Sequence, residues 1–490
     1  MSDILNTFCR PEDVGVSPEW VADYINTLNE KRKVCHSFIM IRHGKVFAEG
    51  YWAPFHKDFK HRMFSVSKSF VSGAIGMLVD EGKISLNDKI IDYFPEKLPA
   101  EVDPYIAEMK IRDMLMMATC HPHGTTYKTP TGLDTKDWVA TFFNPSYKPD
   151  HMPGTRFLYD TSSSHTLCAL VEKLTGKPLL EYLKEKVLSE IGFSDDAWCI
   201  QAPEGTSWGG SGVLCTTRDL ARYALLFANH GNINGKQYLS EEYIREATSA
   251  QIDNKEHGYG YQIWRQRNNS FAFTGMGGQY ALVHPDKDLL LICTSDSQGD
   301  PEKYNGIPDL IFDAVIDKIT DETIPYDDAA YDSLCSLISG LKVSHPAGEA
   351  SSPLMAQVNN KTYALGENPM GMQSFTIRFT EKGGVLTYHT DRGDKAYPFG
   401  LAEYEDTFLP ETHYHNEKIC TPSGRPYRCL NAGVWQNENT FLLRTLIIDN
   451  HIGNMTAAFT FEDDKVSLNI TKNCEWFLNE YLGCAEGKVI

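Results

Sequence analysis

The chain carries a serine and a lysine whose spacing can support nucleophilic catalysis. In the segment "HRMFSVSKSF", Ser65 and Lys68 are three residues apart, so a helix that begins near Ser65 puts both side chains on one face. A serine hydroxyl is a weak nucleophile until a base takes its proton, and a lysine becomes such a base when burial lowers its pKa. Backbone N–H groups at a helix start favour anions, which indicates that Lys68 has a chemical task.

The Ser-x-x-Lys spacing alone is weak evidence. Ser339 and Lys342 show the same spacing, in a segment that runs into a stretch rich in Pro, Gly and Ser. The alternative interpretation, in which Ser65 merely caps a helix and Lys68 is solvated, fits the spacing as well. The context favours Ser65, because apolar residues follow it at helical intervals over residues 66–79.

Two further segments carry groups that suit the same reaction. "MPGTRFLYDTSSSH" places Tyr159 in a polar loop before a predicted helix, where its hydroxyl can relay a proton. "FAFTGMGGQYALV" places a Gly-rich turn between two predicted strands, and backbone N–H groups there can stabilise an oxyanion. The alternatives are that Tyr159 is a packing aromatic, and that Thr274 and Gly275 form an ordinary strand end.

Several common sites are absent from the sequence. It contains no Gly-x-Ser-x-Gly motif, phosphate-binding loop, HExxH motif or dinucleotide fingerprint. The pairs His121/His123 and His413/His415 lack an obvious third ligand nearby, so we interpret them as surface or loop histidines. We therefore predict no metal site and no cofactor.

The length, net charge and cysteine content of the chain limit the kinds of protein and partner that are possible. A length of 490 residues predicts two domains, and the net charge of −19 argues against nucleic acid or an anionic membrane as partner. No apolar stretch is long enough to span a membrane, and the N-terminus does not resemble a secretory signal. The twelve scattered cysteines indicate reduced thiols. We predict a cytoplasmic location; the sequence does not indicate an oligomeric state.

The order of predicted elements indicates a first domain over residues 1–320. Two strands flank a His-Gly-Lys turn in residues 35–52, and helices dominate from residue 65 to about 247. Strands return over residues 259–296, and an amphipathic helix fits residues 307–319. Strands at both ends with helices between them predict one antiparallel sheet beside a helical lobe.

The remaining sequence predicts a linker and a second domain. Residues 321–352 contain one short helix and a Pro/Gly/Ser/Ala stretch, which is typical of a linker. Residues 353–490 contain about eight short strand signals. This pattern predicts a small antiparallel β-barrel or sandwich.

Three motifs together resemble those of the penicillin-binding-protein-like serine hydrolases. This family includes class C β-lactamases, D-alanyl-D-alanine carboxypeptidases, esterases and 6-aminohexanoate-dimer hydrolases. "FSVSKSF" resembles its nucleophile motif, "PGTRFLYDT" its tyrosine loop and "FTGMGGQ" its Lys-Thr-Gly strand. The resemblance covers about residues 10–320. It implies an α/β (α+β) fold with a β-lactamase-like antiparallel sheet, flanking helices and a helical lobe. The strand signals of residues 353–490 add a C-terminal all-β domain, a lipocalin-like barrel or a sandwich.

The resemblance also implies roles for particular residues. Ser65 would be the nucleophile, and Lys68 and Tyr159 would transfer protons, with the choice of general base left open. The backbone N–H groups of Ser65 and Met276 would hold the oxyanion. The implied substrate-binding residues are Thr161, Trp208, Phe273, Thr274 and Gly275.

Two departures from the family pattern bear on the substrate. Phe273 stands where β-lactamases and carboxypeptidases have a lysine that binds the substrate carboxylate, and Thr161 stands where they usually have asparagine. These changes argue against antibiotic hydrolysis and peptidoglycan trimming. We expect hydrolysis of a small ester or amide through an acyl-enzyme on Ser65. The alternatives are a D-amino-acid-specific peptidase, an acyltransferase of the same fold, and a non-catalytic scaffold.

Overall fold

The computed structural model describes residues 4–124, 135–298, 306–412, 425–475 and 477–490. The first part of the chain contains eleven strands within these residues, and the second part forms an all-β region. The strands of the first part are β1 (Cys35–Arg42), β2 (Lys45–Tyr51), β3 (His61–Arg62), β4 (Trp198–Cys199), β5 (Val213–Cys215), β6 (Asn232–Ile233), β7 (Lys236–Gln237), β8 (Trp264–Arg265), β9 (Phe271–Gly275), β10 (Gln279–His284) and β11 (Leu289–Ser295).

Helices surround these strands, and two more connect to the second region. They are α1 (Pro18–Glu30), α2 (Ser67–Asp80), α3 (Pro104–Glu108), α4 (Ile111–Leu115), α5 (Trp138–Phe143), α6 (Thr161–Thr175), α7 (Leu179–Leu183), α8 (Thr217–Ala228), α9 (Glu241–Ala247), α10 (Gly306–Ala314), α11 (Asp328–Ser339) and α12 (Met355–Val358).

A six-stranded antiparallel sheet organises the first region. Its order is β2-β1-β11-β10-β9-β8, so segments from both ends of the region pair in its centre. Strand β1 is buried on both faces: Phe38 and Met40 pack in the core on the side of α1 and α10, and Ile39 and Ile41 pack in the core formed with α2 and α8. This arrangement confirms the predicted sheet beside a helical lobe.

Helix α2 lies in the centre of the helical lobe. Nearly all of its residues are buried, and its two glycines allow aromatic side chains to approach closely. A Cβ atom at Gly73 would lie 2.3 Å from the Tyr223 hydroxyl, and one at Gly76 would lie 2.5 Å from the Tyr243 ring. The helix begins at Ser67, two residues later than the sequence suggests, because residues Phe64–Val66 form a separate 3₁₀ turn.

The second region is a closed β-barrel with one additional strand. Its strands are β12 (Thr362–Leu365), β13 (Met372–Phe379), β14 (Gly383–Thr390), β15 (Gly393–Leu401), β16 (Glu405–Leu409), β17 (Tyr427–Trp435), β18 (Thr440–Ile448), β19 (Ile452–Glu462), β20 (Lys465–Asn473) and β21 (Gly483–Val489). Nine strands close the barrel through a pairing of β15 with β17, and β16 pairs with β17 outside the closed set. The barrel, rather than the sandwich, is therefore the correct form of the predicted β domain.

The segment between the two regions is packed rather than extended into solvent. The short helix expected there is α11, which lies against α1 and β2 and buries Leu334. The backbone of Lys342 forms an isolated β-bridge with Ala53, and the backbone of Glu349 forms another with Trp435 of the barrel. Leu446 of the barrel is buried in the cluster beneath α1. Because burial of such a side chain contributes about 1.5–3 kcal/mol, the two regions stabilise each other.

The histidine pairs seen in the sequence do not form a metal site within the described residues. His121 is fully buried with its ring 4.7 Å from that of Phe142, and burial lowers its pKa to about 3. It is thus a neutral core residue rather than a surface histidine; His413 and His415 lie outside the described residues. Across the described ranges, no group of three or more His, Cys, Asp or Glu side chains could hold a metal ion. No helix within these ranges is long and apolar enough to cross a membrane.

Candidate active site

Ser65 lies in a strained turn at the entrance of α2. The preceding residue, Phe64, has a φ of +46°, a left-handed conformation that is costly for a bulky side chain and recurs at functional sites. The turn is fixed because the backbone N–H of Met63 donates to the Val213 carbonyl at 2.8 Å. Ser65 faces a cavity of about 480 Å³, a volume that suits a small-molecule ligand.

Lys68 contacts the Ser65 side chain directly. Its Nζ atom lies 2.9 Å from Ser65 Oγ and donates to the Gly210 carbonyl at 2.6 Å. The lysine is 1% exposed, so its amino group is removed from bulk water. The three-residue spacing seen in the sequence therefore produces a hydrogen-bonded Ser65–Lys68 pair, the arrangement that the predicted nucleophile and base require.

Tyr159 forms another wall of the same cavity. Its ring stacks on that of Trp264 with centroids 5.4 Å apart, and Lys68 Nζ lies 5.0 Å from the Tyr159 ring centroid. The following residue, Asp160, caps α6 by accepting a hydrogen bond from the Ser162 N–H at 2.9 Å. This cap fixes the end of the loop that carries Tyr159. Ser65, Lys68 and Tyr159, predicted as catalytic, thus lie together.

The end of β9 lies against the Ser65 turn. A Cβ atom at Gly275 would be 3.3 Å from the Ser65 backbone nitrogen and 2.3 Å from the Met63 carbonyl oxygen. Gly275 and the next residue, Met276, both line the cavity. The residues predicted to supply the two oxyanion N–H groups therefore lie on adjoining walls of one site.

Replacing Gly275 by alanine is expected to lower kcat by about a hundredfold, the usual effect of a displaced oxyanion donor. The added methyl group must push β9 away from the Ser65 turn, because the atom it meets belongs to the backbone. Steady-state kinetics on an ester substrate provide the measurement. The control is Gly340→Ala, where the nearest atom would be 3.5 Å away. Wild-type kcat in Gly275→Ala would contradict the close contact.

Two predicted substrate-binding residues lie away from the cavity. Phe273 is 1% exposed and packs against Phe227 of α8 at a centroid distance of 5.1 Å. Side chains alternate between the faces of a strand, so Phe273 faces α8 whereas Thr274 lines the cavity. Trp208 is fully buried and packs edge-on against Trp138. The packing around Phe273 and Trp208 therefore corrects the prediction: both are core residues rather than residues of the cavity wall.

The other three candidates line the cavity as expected. Thr161 lies at the start of α6, and Thr274 and Gly275 lie at the end of β9. Thr274 Oγ1 has no hydrogen-bond partner among the described residues.

Arg62, which the motifs did not indicate, organises the base of the site. It is fully buried on β3, and its Nε atom donates to the Ser211 carbonyl at 3.1 Å. Its Nη2 atom donates to Ser211 Oγ at 3.0 Å and to Glu475 Oε2 at 2.8 Å. Ser211 follows Gly210, whose carbonyl accepts from Lys68. Arg62 therefore fixes the turn before β5, whose Gly210 carbonyl holds the lysine.

The C-terminal barrel reaches this site through two residues. Glu475 follows β20 and lines the cavity, and Arg62 Nη1 donates to His451 Nδ1 at 3.4 Å. Burial, and secondly the Arg62 charge, hold the pKa of His451 well below its usual value, so the ring is neutral and can accept this hydrogen bond. No sequence motif marks either residue, and 413 positions separate Arg62 from Glu475.

Comparison with known proteins agrees with this architecture. Residues 21–316 match the Beta-lactamase family. The 6-aminohexanoate-dimer hydrolase of Paenarthrobacter ureafaciens is 26% identical over 291 residues, which cover 54% of this chain and 73% of that protein. A family VIII carboxylesterase structure has a TM-score of 0.52 at 17% identity, covering 64% of this chain and 99% of the other.

A second solved structure shows the same fold. A Bacillus anthracis protein provisionally named a 6-aminohexanoate-dimer hydrolase has a TM-score of 0.51 at 21% identity, covering 64% of this chain and 87% of its own. The family match spans more than half of the sequence and includes Ser65, Lys68 and Tyr159. The chain therefore belongs to the β-lactamase family of serine hydrolases and carries a C-terminal β-barrel in addition.

Proposed function

We propose that the protein hydrolyses a small ester or amide through a covalent acyl-enzyme on Ser65. The observation that carries the proposal is the 2.9 Å contact between Lys68 Nζ and Ser65 Oγ at the wall of a ligand-sized cavity. Ser65 Oγ attacks the carbonyl carbon while its proton passes to the Lys68/Tyr159 pair. That proton then goes to the leaving alcohol or amine as its bond to the carbonyl carbon breaks. Water, activated by the same pair, releases the acid and restores Ser65.

In this mechanism the developing negative charge lies between the Ser65 turn and the end of β9. The backbone N–H groups of Ser65 and Met276 would donate to the carbonyl oxygen in the transition state. Close packing of Gly275 on the Ser65 turn supports this assignment. The strained Phe64 conformation would hold the turn in place before substrate binds.

The residues that line the cavity support the proposed substrate class. Among its described lining residues there is neither lysine nor arginine, and Phe273, at the position of the family's carboxylate-binding lysine, packs in the core. The names of the relatives, a dimer hydrolase that cleaves 6-aminohexanoate dimers and a carboxylesterase, support amide or ester cleavage. Penicillins and D-Ala-D-Ala peptides, which need a bound carboxylate, are expected to be poor substrates.

A substrate panel tests this function. The kcat/KM values of a neutral aryl ester, an uncharged amide, nitrocefin and a D-Ala-D-Ala peptide would be compared, with Ser65→Ala as the background control. We expect the neutral ester to be cleaved fastest and nitrocefin at least tenfold more slowly, the loss expected when a charged contact is missing. Faster turnover of nitrocefin or of the D-peptide would contradict the ester or amide assignment.

We also propose a cytoplasmic location. The support is that the eleven cysteines within the described residues carry free thiols, several of them buried. Reduced thiols are usual in a reducing compartment. Fractionation of the native host followed by immunoblotting would test this, and recovery from an oxidising compartment would contradict it.

A further inference from the structure

Glu475 brings a carboxylate from the C-terminal barrel to the wall of the catalytic cavity. It lies in the segment after β20, and the same cavity is lined by Ser65 and Tyr159 of the hydrolase region. The side chain of Glu475 is 9% exposed. The barrel is thus positioned to contact whatever molecule reacts with Ser65.

Hydrogen bonds link residues that precede and follow Glu475. Lys472 Nζ donates to the Phe477 carbonyl at 2.8 Å, and the Cys474 thiol donates to the same carbonyl at 3.2 Å. Arg62 holds Glu475 Oε2 at 2.8 Å. A charged group held in this way binds a partner with little loss of conformational entropy.

In the Arg62–Glu475 ion pair, Glu475 is the partner that lines the cavity. Arg62 is fully buried beneath the wall, where Ser211 accepts two of its hydrogen bonds, whereas Glu475 lines the cavity. Among the described lining residues Glu475 is the only Asp or Glu, and the lining includes neither lysine nor arginine; Arg62 holds the carboxylate from beneath the wall at 2.8 Å. A ligand in the cavity therefore meets the carboxylate first, although the buried guanidinium weakens its field.

Aromatic rings complete a surface that suits a cation. Trp264 and Tyr159 are stacked on each other and line the same cavity. The face of an aromatic ring attracts ammonium groups, as a carboxylate does. Glu475 and the two aromatic residues line the same cavity of about 480 Å³.

We propose that Glu475 is a specificity-determining residue that selects substrates carrying an ammonium group and disfavours those carrying a carboxylate. The proposal rests on the hydrolase function of Ser65 proposed above. It gives the barrel a direct part in substrate choice. It also defines the substrate class more closely, as cationic esters or amides.

The experiment compares three aryl esters of equal chain length, with acyl chains that end in trimethylammonium, in tert-butyl, which has the same shape, or in carboxylate. Wild-type kcat/KM should be about tenfold higher for the cationic ester than for the neutral ester, and lowest for the anionic ester. In Glu475→Gln, kcat/KM for the cationic ester should fall more than that for the neutral ester, so that the two values agree within about threefold. Glu486→Gln, which removes the same charge at an exposed position of β21, should behave as wild type.

Other results would overturn the proposal in distinguishable ways. Equal rates for the three esters in wild type would remove charge selection. An equal loss for all three esters in Glu475→Gln would show that Glu475 only positions Arg62 and Ser211. If no ester is cleaved, labelling rates with cationic and neutral fluorophosphonates of equal shape give the same comparison. Failure of Ser65 to be labelled at all would contradict the hydrolase function itself, whereas labelling without charge preference would contradict only the role of Glu475.

Discussion

The Ser65→Ala variant is expected to lose about ten-thousand-fold or more in kcat/KM toward any ester or amide that the wild-type protein hydrolyses. The variant lacks the oxygen that attacks the carbonyl carbon, and Lys68 Nζ loses its 2.9 Å partner. The fold should persist, because Ser65 lies at the cavity wall and the turn is held by backbone hydrogen bonds. Steady-state kinetics with an aryl ester, with circular dichroism to verify folding, provide the measurement.

A matched control exists in the same chain. Ser339 has the same spacing to a lysine, but it lies exposed at the end of α11, where its hydroxyl donates to the Ser336 carbonyl at 2.9 Å. Ser339→Ala should retain wild-type kinetics. Loss of activity in Ser339→Ala together with normal activity in Ser65→Ala would overturn the nucleophile assignment.

The Lys68→Arg variant is expected to lose about a thousandfold or more in kcat. Arginine stays protonated and cannot accept the Ser65 proton. Its planar guanidinium also donates in a geometry different from that of the ammonium that contacts Ser65 Oγ and the Gly210 carbonyl. The measurement is kcat for an ester across a series of pH values. Lys173→Arg, on the exposed face of α6 where the lysine pairs with Glu96, serves as the control.

The comparison with Tyr159→Phe separates the two proton-transfer groups. If the tyrosine is the base, its loss should lower kcat at least as strongly as the loss of Lys68. If the lysine is the base, Tyr159→Phe should keep a larger part of the activity. Near wild-type turnover in Lys68→Arg would exclude lysine as the base and would contradict the mechanism proposed for it.

Local sequence spacing predicted the reactive pair, because two residues one helical turn apart must lie on the same face. The β1–β2 hairpin and the helices α6 and α8 were also predictable, since each has a turn or cap encoded by adjacent residues. The α2 start differed by two residues, because the strained Phe64 conformation comes from tertiary contacts with β5. Tertiary contacts of this kind have no local sequence signal.

The rest of the site depends on long-range packing. The Arg62–Glu475 pair joins β3 to a segment of the barrel that has no motif, so only the folded structure brings the two side chains together. Phe273 was placed on the correct strand, but its position on the α8 face follows from the strand's register with β10. In the second region the eight strand signals did not include β17 or β21. The sequence of β21, GCAEGKV, contains few residues typical of strands.

The most direct test of the acyl-enzyme is intact-mass analysis after incubation with a fluorophosphonate, which traps an activated serine as a stable adduct. One adduct per chain is expected, mapped by peptide sequencing to Ser65, absent in Ser65→Ala and unchanged in Ser339→Ala. An adduct on any other residue, or an unlabelled wild-type protein, would contradict the acyl-enzyme mechanism.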